Sequence, residues 1–226
     1  AIPSTQVIVE PALRNTGPAV GLECILLETR YPGCTVASLG SDHHIGKPEE
    51  FCRLLKVAAD ALEDMPENLF TIGVKPTRVD TGFGYIQKGD VAGTVNDEPI
   101  YAVNAFTEKP DAERAQTYVE SGQYLWNSNM FVWKARTVLD LFEEYEPEIY
   151  VLLQEIGAAV GTEQEAAVIE AVYPKMKEIA VDNAIIERAP QVVTLEADID
   201  WSDIGSWGAL TDVLPVDDQG NLINGN

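Results

Sequence analysis

Cysteine, basic residues and long apolar runs are all scarce in this sequence, and each scarcity removes a class of protein. The three cysteines, Cys24, Cys34 and Cys52, are an odd number with no CxxC spacing, so neither a disulfide framework nor a cysteine-ligated zinc site is supported. Cys24 and Cys52 fall on the apolar sides of predicted helices, where a free thiol packs as a small hydrophobe, and both are expected to be buried. No run approaches the roughly eighteen uninterrupted apolar residues that a membrane span needs. The opening Ala1-Ile2-Pro3-Ser4-Thr5-Gln6 has neither the basic nor the apolar region of a signal peptide. The expectation is a cytoplasmic protein with no membrane partner. Lysine and arginine total 15 against 37 acidic residues, a formal charge of −22, and no basic stripe exists to neutralise a phosphate backbone, which excludes nucleic-acid polymers. GxSxG, HExxH, P-loop and EF-hand patterns are also missing, so covalent hydrolase, zinc protease and P-loop chemistries have no support.

What is present is enough apolar material for a full core: 226 residues with 46% hydrophobic side chains can form one globular domain, and residues 1–226 are read as one. Runs rich in β-branched residues, bounded by Pro, Gly or polar residues, predict strands at 6–10, 35–39, 69–74, 101–106, 130–133 and 192–195. Helical spacing predicts helices over 18–29, 49–62, 111–120, 136–145, 148–160, 163–172 and 182–188. Strands alternating with helices predict an α/β fold with a mainly parallel sheet, to which shorter strands near 84–86 and 101–106 add a mixed portion. Both ends read as cut, because the chain opens almost directly on a predicted strand and closes on the turn-like Asp217-Asp218-Gln219-Gly220-Asn221.

With so many acids, any anionic substrate must be met by a metal ion or a few well-placed cations. Asp42 follows the apolar run 36–40, at the carboxyl end of a predicted strand where α/β sheets bind ligands; the alternative is that it caps the next turn. His43 and His44 are adjacent and would point apart, which disfavours a joint metal site. Asp203 lies within Trp201-Ser202-Asp203-Ile204-Gly205-Ser206-Trp207, where two tryptophans demand a packed setting; its bland reading is a helix N-cap. Thr81-Gly82-Phe83-Gly84-Tyr85 permits close approach of a ligand to the backbone and fits a tight hairpin equally well. Glu108-Lys109-Pro110 sets opposite charges at a strand end, suited to a sugar hydroxyl and a phosphate or simply to solvent. Trp126-Asn127-Ser128-Asn129 sets amides beside an aromatic platform, as a carbohydrate site or an ordinary turn would.

In this order the segments resemble the bacterial mannose-1-phosphate guanylyltransferases, within the sugar-1-phosphate nucleotidylyltransferase family. The resemblance rests on residues 10–19 (EPALRNTGPA), 41–45 (SDHHI), 73–78 (GVKPTR) leading to 81–86 (TGFGYI), and 106–110 (FTEKP). It continues through 126–131 (WNSNMF), 181–187 (VDNAIIE) and 201–207 (WSDIGSW). It implies a Rossmann-like nucleotidylyltransferase fold, truncated at its N-terminus, in which Asp42 and Asp203 meet around Mg2+ and, with Lys109, form the catalytic set. The same carry-over places Arg14, Asn15 and Thr16, together with Asp42, at the nucleotide, and Gly84, Glu108, Lys109 and Asn127 at the sugar phosphate. The implied substrates are GTP and mannose 1-phosphate, the products GDP-mannose and pyrophosphate. Other sugar-1-phosphate nucleotidylyltransferases, or a non-catalytic sugar-phosphate-binding homologue, are the alternatives. Oligomeric state is open, relatives often being dimers or larger. The family's glycine-rich triphosphate loop has no counterpart in this sequence, so the isolated chain is expected to be inactive. Ser41 and Ser128 stand where the family usually has Ala or Gly.

Overall fold

The computed structural model describes residues 2–3, 6–205, 209–214, 217 and 219. Helices α1 (Thr16–Arg30), α2 (Pro48–Asp64), α3 (Ala112–Ser121), α4 (Ala135–Tyr145), α5 (Pro147–Ala159), α6 (Glu165–Val172) and α7 (Leu210–Val213) alternate with strands. The strands are β1 (Thr35–Ser38), β2 (His44–Ile45), β3 (Leu69–Val74), β4 (Gly84–Val95), β5 (Glu98–Thr107), β6 (Tyr124–Lys134), β7 (Val192–Ala197) and β8 (Trp201–Ser202). The α/β class is as expected from the alternation of periods. On α2, Leu54, Val57, Ala58, Ala61 and Leu62 are buried while their neighbours face solvent, the i, i+3, i+4, i+7 stripe of an amphipathic helix. Strand β3 is buried along its whole length, as befits an apolar run covered on both faces.

Six strands form one sheet in the order β1-β6-β3-β7-β5-β4, with an additional pairing of β6 and β4, and β2 pairs with β8 in a separate two-stranded sheet. The pairings of β1 with β6, β4 with β5 and β4 with β6 are antiparallel. The sheet is therefore mixed and mainly antiparallel, where a mainly parallel one was expected. The longest antiparallel pairing is the β4–β5 hairpin. In β4 the stretch 87–95 mixes polar residues and glycines with only Val91, Ala92 and Val95, and none of it is buried, so it carries no continuous apolar signature. Ladder hydrogen bonds and the turn at Asn96 and Asp97, with φ of 51° and 64°, hold it instead; two successive left-handed residues suit a tight hairpin.

The strand expected at 6–10 does not form. Val7, Ile8 and Val9 are 57%, 40% and 72% exposed and join no ladder among the described residues. β-branched composition favours a pleated, half-buried surface and cannot supply the partner. Cys24 is buried as expected, but Cys52 is exposed on α2. Residue 52 lies two positions before Leu54, outside the buried stripe.

The chain divides into two compact units. The first comprises Ala1–Ser38, Ala58–Phe70 and Phe131–Val193. Here α1 packs closely on α5: a Cβ on Gly21 would lie 2.8 Å from Leu153, and one on Gly157 would lie 2.9 Å from Ile25, so both glycines let the helices approach. Phe131 and Trp133 stack at 5.0 Å in the same core. The second unit comprises Leu39–Val57, Thr71–Met130 and Thr194–Asn226. It holds the β4–β5 hairpin and the β2–β8 pair, together with Asp42, Gly84, Glu108, Lys109, Asn127 and Asp203.

Candidate functional site

Antiparallel register brings three of the expected sugar-site residues together. Gly84 opens β4 opposite Asn127 of β6, and Tyr85 faces Thr107 of β5, one residue before Glu108. Glu108 lies across residue 84 so closely that its Oε2 would be 2.7 Å from a Cβ there, with the Asn127 Cβ at 3.4 Å. Only glycine leaves that space to a carboxylate. Asn127 is held by its neighbour: its Nδ2 donates to Asn129 Oδ1 at 3.0 Å, while the Asn129 N–H donates to Asn127 Oδ1 at 3.2 Å. Asn129 sits at φ 53° and Lys109 at φ 43°, left-handed conformations that cluster at functional positions. Lys109 Nζ is 3.2 Å from Glu108 Oε1, with both side chains more than 60% exposed, a pair that costs little to open.

The two expected metal-binding acids lie at one end of a second ladder. Ile45 pairs with Trp201 and His44 with Ser202, antiparallel, so Asp42 and Asp203 both lie beyond the same end of the β2–β8 pair. Neither is in an ion pair among the described residues. Asp203 Oδ1 accepts the Gly205 N–H at 3.0 Å, the local turn bond of the bland reading, and its Oδ2 makes no hydrogen bond among the described residues. Asp42 accepts no hydrogen bond among the described residues and does not cap the turn after it. No group of three or more His, Cys, Asp or Glu suited to a metal occurs among the described residues; two carboxylates fall short of a protein cage and fit an ion that keeps water or phosphate ligands, as Mg2+ does. His43 is not disposed as a ligand beside His44, since its ring packs edge-on against Trp201 at 5.4 Å and 87°.

Aromatic side chains underlie the residues expected at the sugar phosphate. Phe83 meets Trp126 at 5.1 Å and Trp201 at 5.2 Å, and the Arg78 guanidinium carbon stands 5.5 Å from the Trp126 ring and 6.0 Å from that of Phe83. Arg78 Nε also lies 3.2 Å from Asp80 Oδ2. Sequence reading placed Arg78 in a motif without a role and passed over Asp80; the available signal was the single cation and single acid flanking Val79, just before a glycine-aromatic-glycine run. A cavity of about 290 Å³ is lined by Lys75, Arg78, Trp126, Asp198, Asp200 and Trp201, among others. The aspartates face Lys47, whose Nζ is 2.8 Å from Asp198 and 3.4 Å from Asp200. Trp207 and Ser206, the end of the second tryptophan motif, lie outside the described residues.

The expected nucleotide segment belongs to the first unit and is anchored by its own contacts. Asn15, at φ 66°, accepts the Thr16 N–H at the start of α1, and Thr16 Oγ1 accepts the Val181 N–H at 2.9 Å. Arg14 donates to the Pro174 carbonyl, at 3.0 Å from Nε and also through one terminal nitrogen. Tyr173 donates to Glu10, and its phenol is pushed far up by burial first and by that carboxylate second. Glu10 and Arg14 thus fasten the loop before α1, while the side-chain amide N–H groups of Asn15 make no hydrogen bond among the described residues.

An α/β fold carrying acids at one ladder end and an amide–carboxylate–glycine group at another defines the class, and comparison agrees: the model of the family described as Nucleotidyl transferase matches residues 3–219. The chain belongs to the nucleotidyl transferase family. It is 35% identical over 224 residues to a mannose-1-phosphate guanylyltransferase of Klebsiella pneumoniae, covering 99% of this chain and 47% of that protein. A mannose-1-phosphate guanylyltransferase of Escherichia coli strain K12 is 34% identical over 223 residues, 97% of this chain and 46% of that one. The chain thus spans about half the length of the curated relatives it matches. A crystal structure from Thermus thermophilus, described as a mannose-1-phosphate geranyltransferase, superposes with a TM-score of 0.78 at 28% identity, over 90% of this chain and 56% of that one.

Proposed function

We propose that the chain is the nucleotidylyltransferase portion of an enzyme that forms GDP-mannose and pyrophosphate from GTP and mannose 1-phosphate. The observation that carries this reading is the convergence of Gly84, Glu108 and Asn127, an acceptor and an amide around a side-chain-free backbone position, which suits the hydroxyls of a hexose. The names of the relatives, mannose-1-phosphate guanylyltransferases, support mannose as the sugar and guanine as the base.

In this reading Glu108 and Asn127 orient the hexose, and Lys109 swings from Glu108 to its phosphate. That phosphate oxygen forms a bond to the α-phosphorus of GTP as the bond from the α-phosphorus to the bridging oxygen breaks, and pyrophosphate departs in line with the electron pair. No protein nucleophile is required, so orientation and charge neutralisation are the catalysis. Asp42 and Asp203 are the residues that would hold Mg2+, which when bound supplies Lewis-acid neutralisation of the two approaching anions. Asn15 and Thr16, with Arg14 behind them, serve the nucleotide.

Calorimetric titration with mannose 1-phosphate tests the reading at its sugar end. The unaltered chain is expected to bind, and Glu108→Gln to bind about tenfold more weakly, the effect of losing one charge-assisted hydrogen bond. Absence of hexose phosphate binding by the unaltered chain would overturn it.

A further inference from the structure

We infer that Arg78 is a positioning residue for the hexose site: braced by Asp80, it holds in register the two segments that present Gly84 and Asn127. The inference rests on the reading of those residues as hexose-facing. Arg78 touches the residue immediately before each of them, Phe83 before Gly84 and Trp126 before Asn127, with its guanidinium carbon 6.0 Å and 5.5 Å from the two rings. The two rings meet edge to face at 67°, and a broad, delocalised guanidinium can reach both while its Nε stays with a carboxylate, which a compact ammonium does less well.

Asp80 ties this cation to the backbone of the same turn. Its Oδ2 lies 3.2 Å from Arg78 Nε, and its Oδ1 accepts the Gly82 N–H at 2.8 Å. Its carbonyl accepts the Tyr85 hydroxyl at 2.8 Å, and Tyr85 is fully buried opposite Trp126 in the β4–β6 ladder. The turn from Asp80 to Tyr85 is therefore closed on both sides of Gly84. Glu108 occupies the space above residue 84, 2.7 Å from where a Cβ would be, so a small displacement of the turn misplaces both the carboxylate and the amide. Purely structural value is a poor account of Arg78: its side chain is 46% exposed, and ion pairs so exposed contribute little to stability.

The test compares the unaltered chain with Arg78→Met, Arg78→Lys and Asp80→Asn. Three quantities are measured: mannose 1-phosphate affinity by calorimetry, amide hydrogen exchange at Gly82 and Gly84, and Tm. Arg78→Met is expected to bind about tenfold more weakly and to exchange faster at both glycines, with Tm nearly unchanged. Arg78→Lys keeps the charge and loses the stacking plane, and is expected to fall between. Asp80→Asn retains an oxygen for the Gly82 N–H while weakening the hold on Arg78, so its faster exchange at Gly84 supports the same role even where the Met variant fails to fold. Unchanged exchange at both glycines in the folded variants, or unaltered affinity alongside normal binding by the original chain, overturns the role of Arg78. Failure of the original chain to bind any hexose phosphate overturns the functional reading instead, and is distinguished by being independent of the substitutions.

Discussion

Glu108 takes the volume that a side chain at Gly84 would need, its Oε2 lying 2.7 Å from the ideal Cβ position. Gly84→Ala should therefore turn the exposed Glu108 carboxylate outward at little cost, since residue 84 lies in a strand whose φ any residue adopts. Stability should change by less than about 1 kcal/mol, with the lost chain entropy of Gly offsetting the contact. Hexose phosphate affinity should fall at least about tenfold. Thermal unfolding and calorimetry on the same sample separate the two effects; equal losses in both would refute the account.

In the full-length enzyme of which this chain is the proposed nucleotidylyltransferase portion, Asp42→Asn and Asp203→Asn should each lower the Mg2+-dependent rate of pyrophosphate release by at least about a hundredfold, since neutralising two anions in a shaped site supplies several kcal/mol. Asp203→Asn keeps an acceptor for the Gly205 N–H, so its Tm should stay close to that of the parent. Near-normal turnover in either variant removes that residue from the mechanism.

Burial pushes the Glu23 carboxyl above its usual range, only partly countered by the hydrogen bond from Ser38. The folded state therefore holds this proton more tightly than the unfolded state does. Between the unfolded value of about 4.5 and the raised folded one, stability falls as pH rises. Glu23→Gln, which keeps an acceptor for Ser38, should raise Tm at pH 7, and the gain should vanish near pH 4, where both states are protonated. A gain independent of pH would show that charge burial is not its origin.

Thiol reactivity should follow exposure. Cys52 is exposed, whereas Cys24 is buried and its thiol is pushed well up, first by desolvation and then by the Glu23 charge. A chromogenic disulfide reagent should label Cys52 rapidly in the folded protein and Cys24 only on unfolding, because the thiolate is the nucleophile. Peptide mapping after a short exposure decides it, and early labelling of Cys24 would contradict the packing of α1.

Much of the fold was legible because its signals are local. The stripe of Leu54, Val57, Ala58, Ala61 and Leu62 and the largely apolar β3 announce their elements through hydrophobic pattern, which a sequence displays directly. The long part of β4 was not legible, since residues 87–95 carry no continuous apolar signature and owe their conformation to a hairpin partner. The opposite holds at 6–10, whose strand-forming side chains join no ladder among the described residues. For the site, motif reading named Gly84, Glu108 and Asn127 separately; that one occupies the space the other lacks is a matter of ladder register.

Composition and pattern alone were enough to set the α/β class, the lack of a long apolar span, the acidic surface and the order of the motifs, because each depends on residue type or spacing along the chain. The folded chain was required to make the sheet mainly antiparallel, to bring Asp42 and Asp203 to one end of the β2–β8 ladder, and to set Arg78 over the touching pair Phe83 and Trp126. Those relations join residues as far as 161 positions apart, and no local periodicity encodes a pairing made across such a distance.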